Sequence, residues 1–377
     1  MKKKITIILD VKKYDWNGGI NYFNNLINII DHKNYEISII TGFSTKINRK
    51  LFDSNFKFIK CKLCDPYSIN WFLRKIILKF FGTDILLTKF LLKKKISFVT
   101  HSIYLGSQND IKIINWIPDL QPLMLKKNYK IEDIKKTYKQ FDNYLKYSNK
   151  LIFSSYTEKK KFEKFFNVID KKKLFILNNI PKLIEQKKII DFKYLSKKFK
   201  IKKNYFFIPN QFWKHKNHLC LFRAIKLLSK HDLEFVFTGD LNDYRDSEYQ
   251  KNLKYFINMN NLKDKIKILG NIGYDEVVSL IIHSKALINP SNYEGWSTSV
   301  EEAKIYKKFI ILSDIDTHLE QVNNTEFFFK KNNFDSLKDK ILYFSKKTHV
   351  KYNYSQIRRD YRKHILVQKN QIKNIYV

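Results

Sequence analysis

The stretch 288–306, INPSNYEGWSTSVEEAKIY, sets carboxylates at Glu294 and at Glu301 and Glu302 around a glycine, small hydroxyls and one tryptophan. The apolar run before it, Ala286 to Asn289, reads as a buried strand that Pro290 ends. A helix is expected to begin near Ser297–Ser299, where hydroxyls make good N-caps. Gly295 falls in the turn, where backbone approaches a ligand or adopts positive φ. The product is a strand, a tight loop and a helix N-terminus, whose amides and dipole favour an anion such as a phosphate. Carboxylates accept hydrogen bonds from vicinal hydroxyls, so Glu294 and Glu302 suit a sugar or a ribose. Glu301 and Glu302 lie about 100° apart on a helix, so one of the two faces the site squarely. From the residues alone two readings stand: site carboxylates, or helix-start charges favoured by the dipole.

Outward from this stretch, short apolar runs alternate with helical patterns. Strands are expected at Lys4–Asp10, Tyr35–Thr41, Ile96–Thr100, Ile111–Ile117, Lys150–Ser155 and Lys173–Asn178, and then at Tyr205–Asn210, Leu233–Gly239, Lys265–Gly270, Ala286–Ser291 and Phe309–Asp314. Helices are expected between them, among them Ile20–Ile30, Glu132–Tyr147, Tyr274–His283 and Ser299–Tyr306. Lysine-rich Lys182–Lys203 reads as a linker region, and Tyr354–Tyr376 as a charged terminal helix. This rhythm predicts α/β architecture with parallel sheets covered on both faces. Two blocks predict two doubly wound domains facing across a cleft, 1–182 and 196–350, with ligands at the carboxyl ends of the strands.

Three further segments join the candidate site. Ile208–His218, IPNQFWKHKNH, follows a strand and precedes a helix. Lys214 and Lys216 there can meet a diphosphate as point charges, with Asn217 as a cap; a solvated basic loop is the other reading. Gly18–Gly19 follow the first strand and open a helix, either to let backbone approach a phosphate or sugar or as an ordinary tight turn. Asp119, in NWIPDLQP (115–122), is a site carboxylate or a turn former. The DxD string in SDID (313–316) is too short and common a pattern to predict a metal site.

Composition narrows the classes. The 377-residue chain is 44% hydrophobic, enough for a sizeable core. No apolar run is long enough to span a bilayer. The most apolar region, Trp71–Lys95, is broken by lysines and reads as amphipathic helices. The first apolar run is too short for a signal peptide, and Asp10 follows it, so it reads as a strand. Three cysteines make no disulfide framework, and Cys61 and Cys64 lack partners for a zinc site; a reducing cytoplasm fits. The net charge of +36 comes mostly from lysine. Abundant Asn, Ile, Tyr and Phe beside it suggest an AT-rich genome. Nucleic-acid readers lean on arginine, so no nucleic-acid partner is expected. An anionic membrane surface or a phosphorylated substrate accounts better for the charge.

With these residues assembled, the sequence resembles the retaining GT-B glycosyltransferases of family 4, often called glycosyltransferase group 1. NPSNYEGWSTSVEEAKIYKKFIILSD resembles that family's Pro-Ser, Glu-Gly-aromatic and Glu-Ala pattern, and FIPNQFWKHKNH its second-domain opening loop. GGINYFNNLI resembles its N-terminal glycine loop. The resemblance is specific over Tyr205–Gln321 and diffuse before that. It implies two Rossmann-like domains with the C-terminal helix, 354–377, returning to the first. It also implies a nucleotide-diphosphate sugar donor and no metal or other cofactor. Glu302 would bind ribose hydroxyls, Glu294 would lie beside the donor sugar, and Lys216 would neutralise the leaving diphosphate. Gly295 and the amides around Trp296, Ser297 and Thr298 would contact sugar and phosphate, with Lys214, Gln211, Gly18 and Gly19 supporting the donor and Asp119 the chemistry. The expected acceptor is a glycan or lipid-linked glycan of a surface polysaccharide, made in the cytoplasm at the inner face of the membrane. Three positions depart from the family. Gln211 stands where an arginine is usual, Pro122 where some relatives carry a histidine, and Lys307 where a glycine is usual. The first two favour the alternative of a non-catalytic binding or scaffold subunit.

Overall fold

In the computed structural model, which describes residues 2–14, 17–101, 103–108, 110–240, 246–348 and 352–376, the chain divides into two compact units. One comprises Met1–Met124, Ile131–Pro181 and Ile365–Val377, the other Leu125–Lys130 and Lys182–His364.

The first unit is built on β1 (Lys3–Leu9), β3 (Tyr35–Thr41), β5 (Lys57–Lys60), β6 (Phe98–Thr100), β7 (Lys112–Ile117), β8 (Lys150–Phe153) and β9 (Leu174–Ile176). These form one sheet in the order β5-β3-β1-β6-β7-β8-β9, every pair parallel. The two-residue strands β2 (Lys13–Tyr14) and β4 (Lys46–Ile47) make a separate ladder. Helices α1 (Asn17–Ile29), α2 (Ile69–Phe81), α3 (Ile85–Lys93), α4 (Gln121–Met124), α5 (Ile131–Tyr147) and α6 (Tyr156–Phe165) connect the strands. Side chains of β1 alternate as the pleat demands. Ile5, Ile7 and Leu9 pack with Ile20, Phe23 and Ile27 of α1, while Ile8 packs on the other face with Leu87 and Leu91 of α3. Both faces are therefore dry, which is why the strands read as unbroken apolar runs. Cys61 and Cys64 are buried free thiols in the second of these clusters.

The second unit carries α7 (Phe192–Phe199), β10 (Tyr205–Pro209), α8 (His218–Leu227), β11 (Glu234–Thr238), α9 (Ser247–Met259), β12 (Ile266–Ile268), α10 (Tyr274–His283), β13 (Leu287–Asn289), α11 (Thr298–Ile305), β14 (Ile310–Ser313), α12 (Asp316–Gln321), β15 (Phe328–Phe329) and α13 (Phe334–Lys346). Its sheet runs β12-β11-β10-β13-β14-β15, again all parallel. Phe206 and Ile208 point to α8 and α13; Tyr205 and Phe207 point to α7, α10 and α11.

Two expectations are corrected. The lysine-rich stretch 182–203 is no linker. Asp191 caps α7 by accepting from the Lys193 amide at 2.7 Å. Leu195 is fully buried, and Phe192 stacks on Tyr205 with ring centroids 6.1 Å apart. The lysines of α7 occupy its wet face, and their number hid its apolar stripe. The return of the terminal helix also starts later than 354. The helix α14 (Tyr354–Ile375) begins in the second unit, where Ile357 packs with Ile184, Val278 and Tyr306. Only from Ile365 does it belong to the first.

Ile372, Ile375 and Tyr376 complete the first unit's core. The Tyr376 hydroxyl lies 2.9 Å from Thr100 Oγ1, and its carbonyl accepts from the Tyr35 hydroxyl at 3.1 Å. Replacing Tyr376 by alanine should cost about 3–5 kcal/mol of stability through the cavity it leaves. Replacing it by phenylalanine should cost about 1 kcal/mol, the value of one hydrogen bond. Urea unfolding of both variants checks this; equal midpoints would show that the ring does not hold the C-terminus.

Candidate functional site

In the second unit the chain runs from β10 through β11 to β12 at one edge, then starts again at β13 and runs through β14 to β15 at the other. The order reverses between β10 and β13. In open parallel sheets such a reversal leaves a crevice at the carboxyl ends, because the two connecting loops diverge. The loops that leave β10 and β13 are 210–217 and 290–297, the two segments singled out in the sequence.

They meet through an ion pair. Lys216 Nζ lies 2.7 and 2.8 Å from the two Glu294 carboxylate oxygens. Both side chains are largely buried, 14% and 8% exposed. Burial alone would raise the Glu294 carboxyl, but Lys216 outweighs it and holds the group down at about 2. Asn289, the last residue of β13, donates from Nδ2 to Glu294 at 3.2 Å and to Ser297 Oγ at 2.9 Å. Ser291 Oγ lies 2.6 Å from both Asn289 Oδ1 and Glu294 Oε1. Thr317 Oγ1 donates to the Glu294 carbonyl at 2.7 Å. The backbone joins the loops as well, where the Asn292 amide donates to the His215 carbonyl at 2.7 Å.

The helix α11 separates the two adjacent glutamates. Glu301 accepts from Lys304 at 2.8 Å and from Gln321 Nε2 at 3.0 Å. Glu302 is buried, with a hydrogen bond from Tyr274, and burial pushes its carboxyl up to about 7. Ser297 stands at the N-cap position, but its hydroxyl does not cap; it serves Asn289 and Ser299. The Ser297 amide donates instead to Gln321 Oε1 at 3.1 Å. Gly295 is buried without positive φ, so its backbone is one that any residue adopts. The Trp296 indole N–H is buried and has no partner among the described residues. An unpaired buried donor is costly, and a ligand acceptor would satisfy it. Thr298 opens the helix beside it.

The supporting residues have other occupations. Gln211 Oε1 accepts from the Asp240 amide at 2.6 Å, which pins the loop after β11. Gly239 in that loop has φ +123°, and a Cβ there would fall 2.6 Å from the Asn210 carbonyl oxygen. Lys214 is exposed and pairs with Asp246 at 3.1 Å. Asn217 sits at the cap of α8 with φ +56° and makes no side-chain cap; its amide bridges to Asn292 and Asn332.

In the first unit the strand order reverses between β1 and β6. Gly18 and Gly19 lie in the first turn of α1, Gly19 buried and Gly18 exposed; Asp15 and Trp16 lie outside the described residues. Asp119 accepts from the Gln121 amide at 2.9 Å, a turn-forming bond. It also lines a cavity of about 400 Å³ with Asp10, His101, Trp116, Pro122 and Gln140. His101 was not foreseen. It has φ +70°, lies 2.7 Å from Thr100 Oγ1 and 3.2 Å from the Tyr22 hydroxyl, and is held neutral by burial.

His318 and Gln321 were also missed. His318 Nδ1 donates to the Ser313 carbonyl at 2.9 Å, which leaves Nε2 a buried acceptor with no partner among the described residues. Burial holds this imidazole near 4 and so neutral at pH 7. Nothing in the spacing of DTHLEQ marks these residues; only the fold brings α12 under the 290–297 loop. Among the described residues no three metal-ligating side chains converge. Asp314 of the DxD string accepts from the Lys331 amide at 2.7 Å, and Asp316 opens α12.

Residues 191–363 match the family described as glycosyl transferases group 1. Over 244 residues the chain is 27% identical to the O-antigen chain mannosyltransferase RfbU of Salmonella typhimurium, covering 63% of this chain and 61% of that protein, so it spans about three-fifths of this curated relative. Among solved structures, a glycosyltransferase from Rickettsia africae ESF-5 superposes with a TM-score of 0.69 at 18% identity, covering 100% of this chain and 98% of that one. Anabaena Alr3699/HepE, solved with UDP and glucose, superposes with a TM-score of 0.67 at 11% identity, covering 99% and 97%. What the chain shares with these structures is the fold, α/β with two Rossmann-like units on parallel sheets in the GT-B class; with the group 1 glycosyl transferases it also shares the sequence pattern of residues 191–363.

Proposed function

We propose that the protein is a retaining glycosyltransferase that holds a nucleotide-diphosphate sugar in its second unit and passes the sugar to a glycan or lipid-linked glycan of a surface polysaccharide. The observation that carries this reading is the buried Lys216–Glu294 pair at the strand-order reversal, with Glu302 and the unpaired Trp296 N–H on the same loop and helix. The match to group 1 glycosyl transferases and the relative named for O-antigen synthesis support it.

The chemistry follows from the groups present. Two of the three Lys216 N–H donors are engaged by Glu294, which leaves one for a diphosphate oxygen. Bond breaking between the sugar's anomeric carbon and the diphosphate places negative charge on the departing phosphate, and Lys216 stabilises it there. The acceptor hydroxyl attacks from the same face, and its proton passes to the leaving phosphate oxygen. Lysine rather than a metal supplies the counter-charge in this scheme. Glu294 and Asn289 orient sugar hydroxyls, and Glu302 accepts from the ribose. The remaining contribution is positioning.

Three outcomes test the reading. In thermal unfolding against UDP-, GDP-, ADP- and dTDP-sugars with chelator present, one nucleotide class should raise the melting point of the native protein and not of Glu302→Ala. At a hundredfold excess over Kd the stabilisation is about 2.7 kcal/mol, or roughly 5–10 °C for a domain of this size. No shift with any donor would redirect the protein to a non-catalytic binding role.

The pH dependence has a defined sign. Below about 4.5 the Glu302 carboxyl is protonated in both native and unfolded chains. As pH rises from there to about 7, the unfolded chain has released the proton while the native one retains it, so Glu302 costs stability across that window. Accepting from both ribose hydroxyls at once needs the ionised form, in which both carboxylate oxygens are acceptors only. Donor affinity should therefore rise between pH 6 and 8, with partial proton release on binding, and Glu302→Gln should flatten the curve. Calorimetric titration in buffers of different ionisation enthalpy reads both, and a flat profile in the native protein rejects the assigned role.

Lys216→Met should reduce turnover by about a hundredfold or more and should destabilise by about 3–5 kcal/mol, because it strands a buried carboxylate. Adding Glu294→Gln should restore most of the stability and none of the turnover. Additive losses in this double-mutant cycle would show that the two residues do not act as a pair.

A further inference from the structure

Cys61 and Cys64 bracket a single turn at the rim of the first unit's sheet. Cys61 leaves β5 in extended backbone, φ −141° and ψ +119°, and its amide donates to the Thr41 carbonyl of β3 at 2.9 Å. Lys62–Cys64 then make one 3-10 turn, closed where the Cys64 amide donates to the Cys61 carbonyl at 3.0 Å. A turn closed in this way brings the Cα atoms of its first and fourth residues within about 7 Å. A disulfide needs roughly 4.4–6.8 Å. Both side chains enter the same apolar cluster, with Ile8, Ile40 and Val99, so the backbone aims the two thiols into one place.

Their surroundings set these thiols apart from the third. The Cys64 thiol donates to the Cys61 sulfur, and the Leu63 and Cys64 amides add to that bond, which holds Cys61 below the ordinary thiol range. The same bond and burial push Cys64 above it. The Arg74 guanidinium, which donates at 3.0 Å to the Leu63 carbonyl between the two cysteines, also favours the Cys61 thiolate. Cys220, in the core of the second unit, is pushed up to about 11 by burial. A lowered thiol with a second thiol in reach suits disulfide exchange. Zinc is the other use of Cys-x-x-Cys, but it asks for further ligands, and among the described residues no three metal-ligating side chains converge.

We propose that Cys61 and Cys64 are a reversible dithiol–disulfide site, oxidised by a low-molecular-weight disulfide. The Cys61 thiolate attacks one sulfur of the oxidant, whose S–S bond breaks; one thiolate leaves and takes up the proton that Cys61 released. Cys64 then attacks Cys61 Sγ in the mixed disulfide. Its proton passes to the second departing thiolate as the Cys61–Cys64 bond forms. Two electrons and two protons thus move to the oxidant, which ends as two thiols. Access comes through the sheet edge. The strand β5 lies at the end of the strand order, and its residues are exposed or half-buried; such weakly packed segments open locally at lower cost than a core. In a reducing compartment the pair rests as a dithiol, and its disulfide is transient. Arg74 connects the turn to the first unit's cavity, because the guanidinium that holds Leu63 also holds, at 2.9 Å, the Asp10 carboxylate in the cavity wall. The proposal is independent of the donor reading.

The test treats the reduced full chain with oxidised glutathione under native conditions. The protein should lose two hydrogens in intact mass, and its peptide map should show Cys61 linked to Cys64 with Cys220 free. Dithiothreitol should reverse the change. In Cys64→Ala, Cys61 should stop at the glutathione adduct. In Cys61→Ala, Cys64 should acquire glutathione roughly tenfold or more slowly, because the reactive thiolate is gone. The native protein decides the main point whether or not the variants fold. Three results would overturn the proposal: all three thiols survive the oxidant; the 61–64 link forms only when urea has unfolded the chain; or Cys220 takes up glutathione as fast as the pair closes. Equal rates in the two variants would overturn the assignment of Cys61 as the attacking thiol.

Discussion

Glu294 is a carboxylate removed from water, and the site depends on what makes that tolerable. An isolated buried charge in a protein interior costs several kcal/mol even after relaxation. Lys216 offsets this from a loop 78 residues earlier, and Asn289 and Ser291 both donate to Oε1. Because β10 and β13 are neighbours with their carboxyl ends side by side, the two charges meet without either loop stretching. The pair then imposes its own demands. The 290–297 loop is fixed at its start by Asn289 and Ser291, at Glu294 by Thr317, and at its end by Gln321. Polar groups arranged in this way leave few internal partners for Trp296, and its N–H remains unspent.

The neighbouring glutamates show how helix geometry divides one composition into two chemistries. Glu301 turns toward Lys304, which supplies a counter-charge, and toward Gln321, which donates a hydrogen bond. Glu302, one residue on, is rotated by about 100°, meets Tyr274 and no cation among the described residues, and is pushed up to about 7. Glu294 is as deeply buried yet held near 2. Burial acts on both in the same direction, and the lysine decides the sign. Titratable groups pushed apart by their surroundings cluster at functional sites.

Much of this was legible. Parallel strands buried on both faces have apolar runs that need no periodicity to be seen, and β3 and α10 fall where the sequence put them. The switch-point loops were legible because their residue types are unusual for plain turns: lysines beside aromatics in 212–216, and carboxylates around Gly295. The edge strand β5 was not, since KFIK is half exposed and lysine-flanked. The helix α7 was hidden by its lysines. A sequence does not reveal that the Asp240 amide engages Gln211 or that Asp246 pairs with Lys214. His318 and Gln321 act through tertiary contact alone, from a six-residue helix without periodicity.

The net charge of +36 comes from 72 basic residues against 36 acidic ones, and some of the acids lie inside. Asp84, Glu158, Glu234, Glu294, Glu301 and Glu302 are all buried. Carboxylates are half as many as cations and several are spent inside, on Arg74, on helix starts and on the switch-point crevice, so lysine outnumbers them at the surface. Such a surface raises the local concentration of any anion. At physiological salt its reach is about 8 Å, too short to choose one anion from another. Selectivity must therefore reside in groups that water does not screen. In the second unit these are the Lys216–Glu294 pair, the Glu302 carboxyl and the unpaired Trp296 N–H.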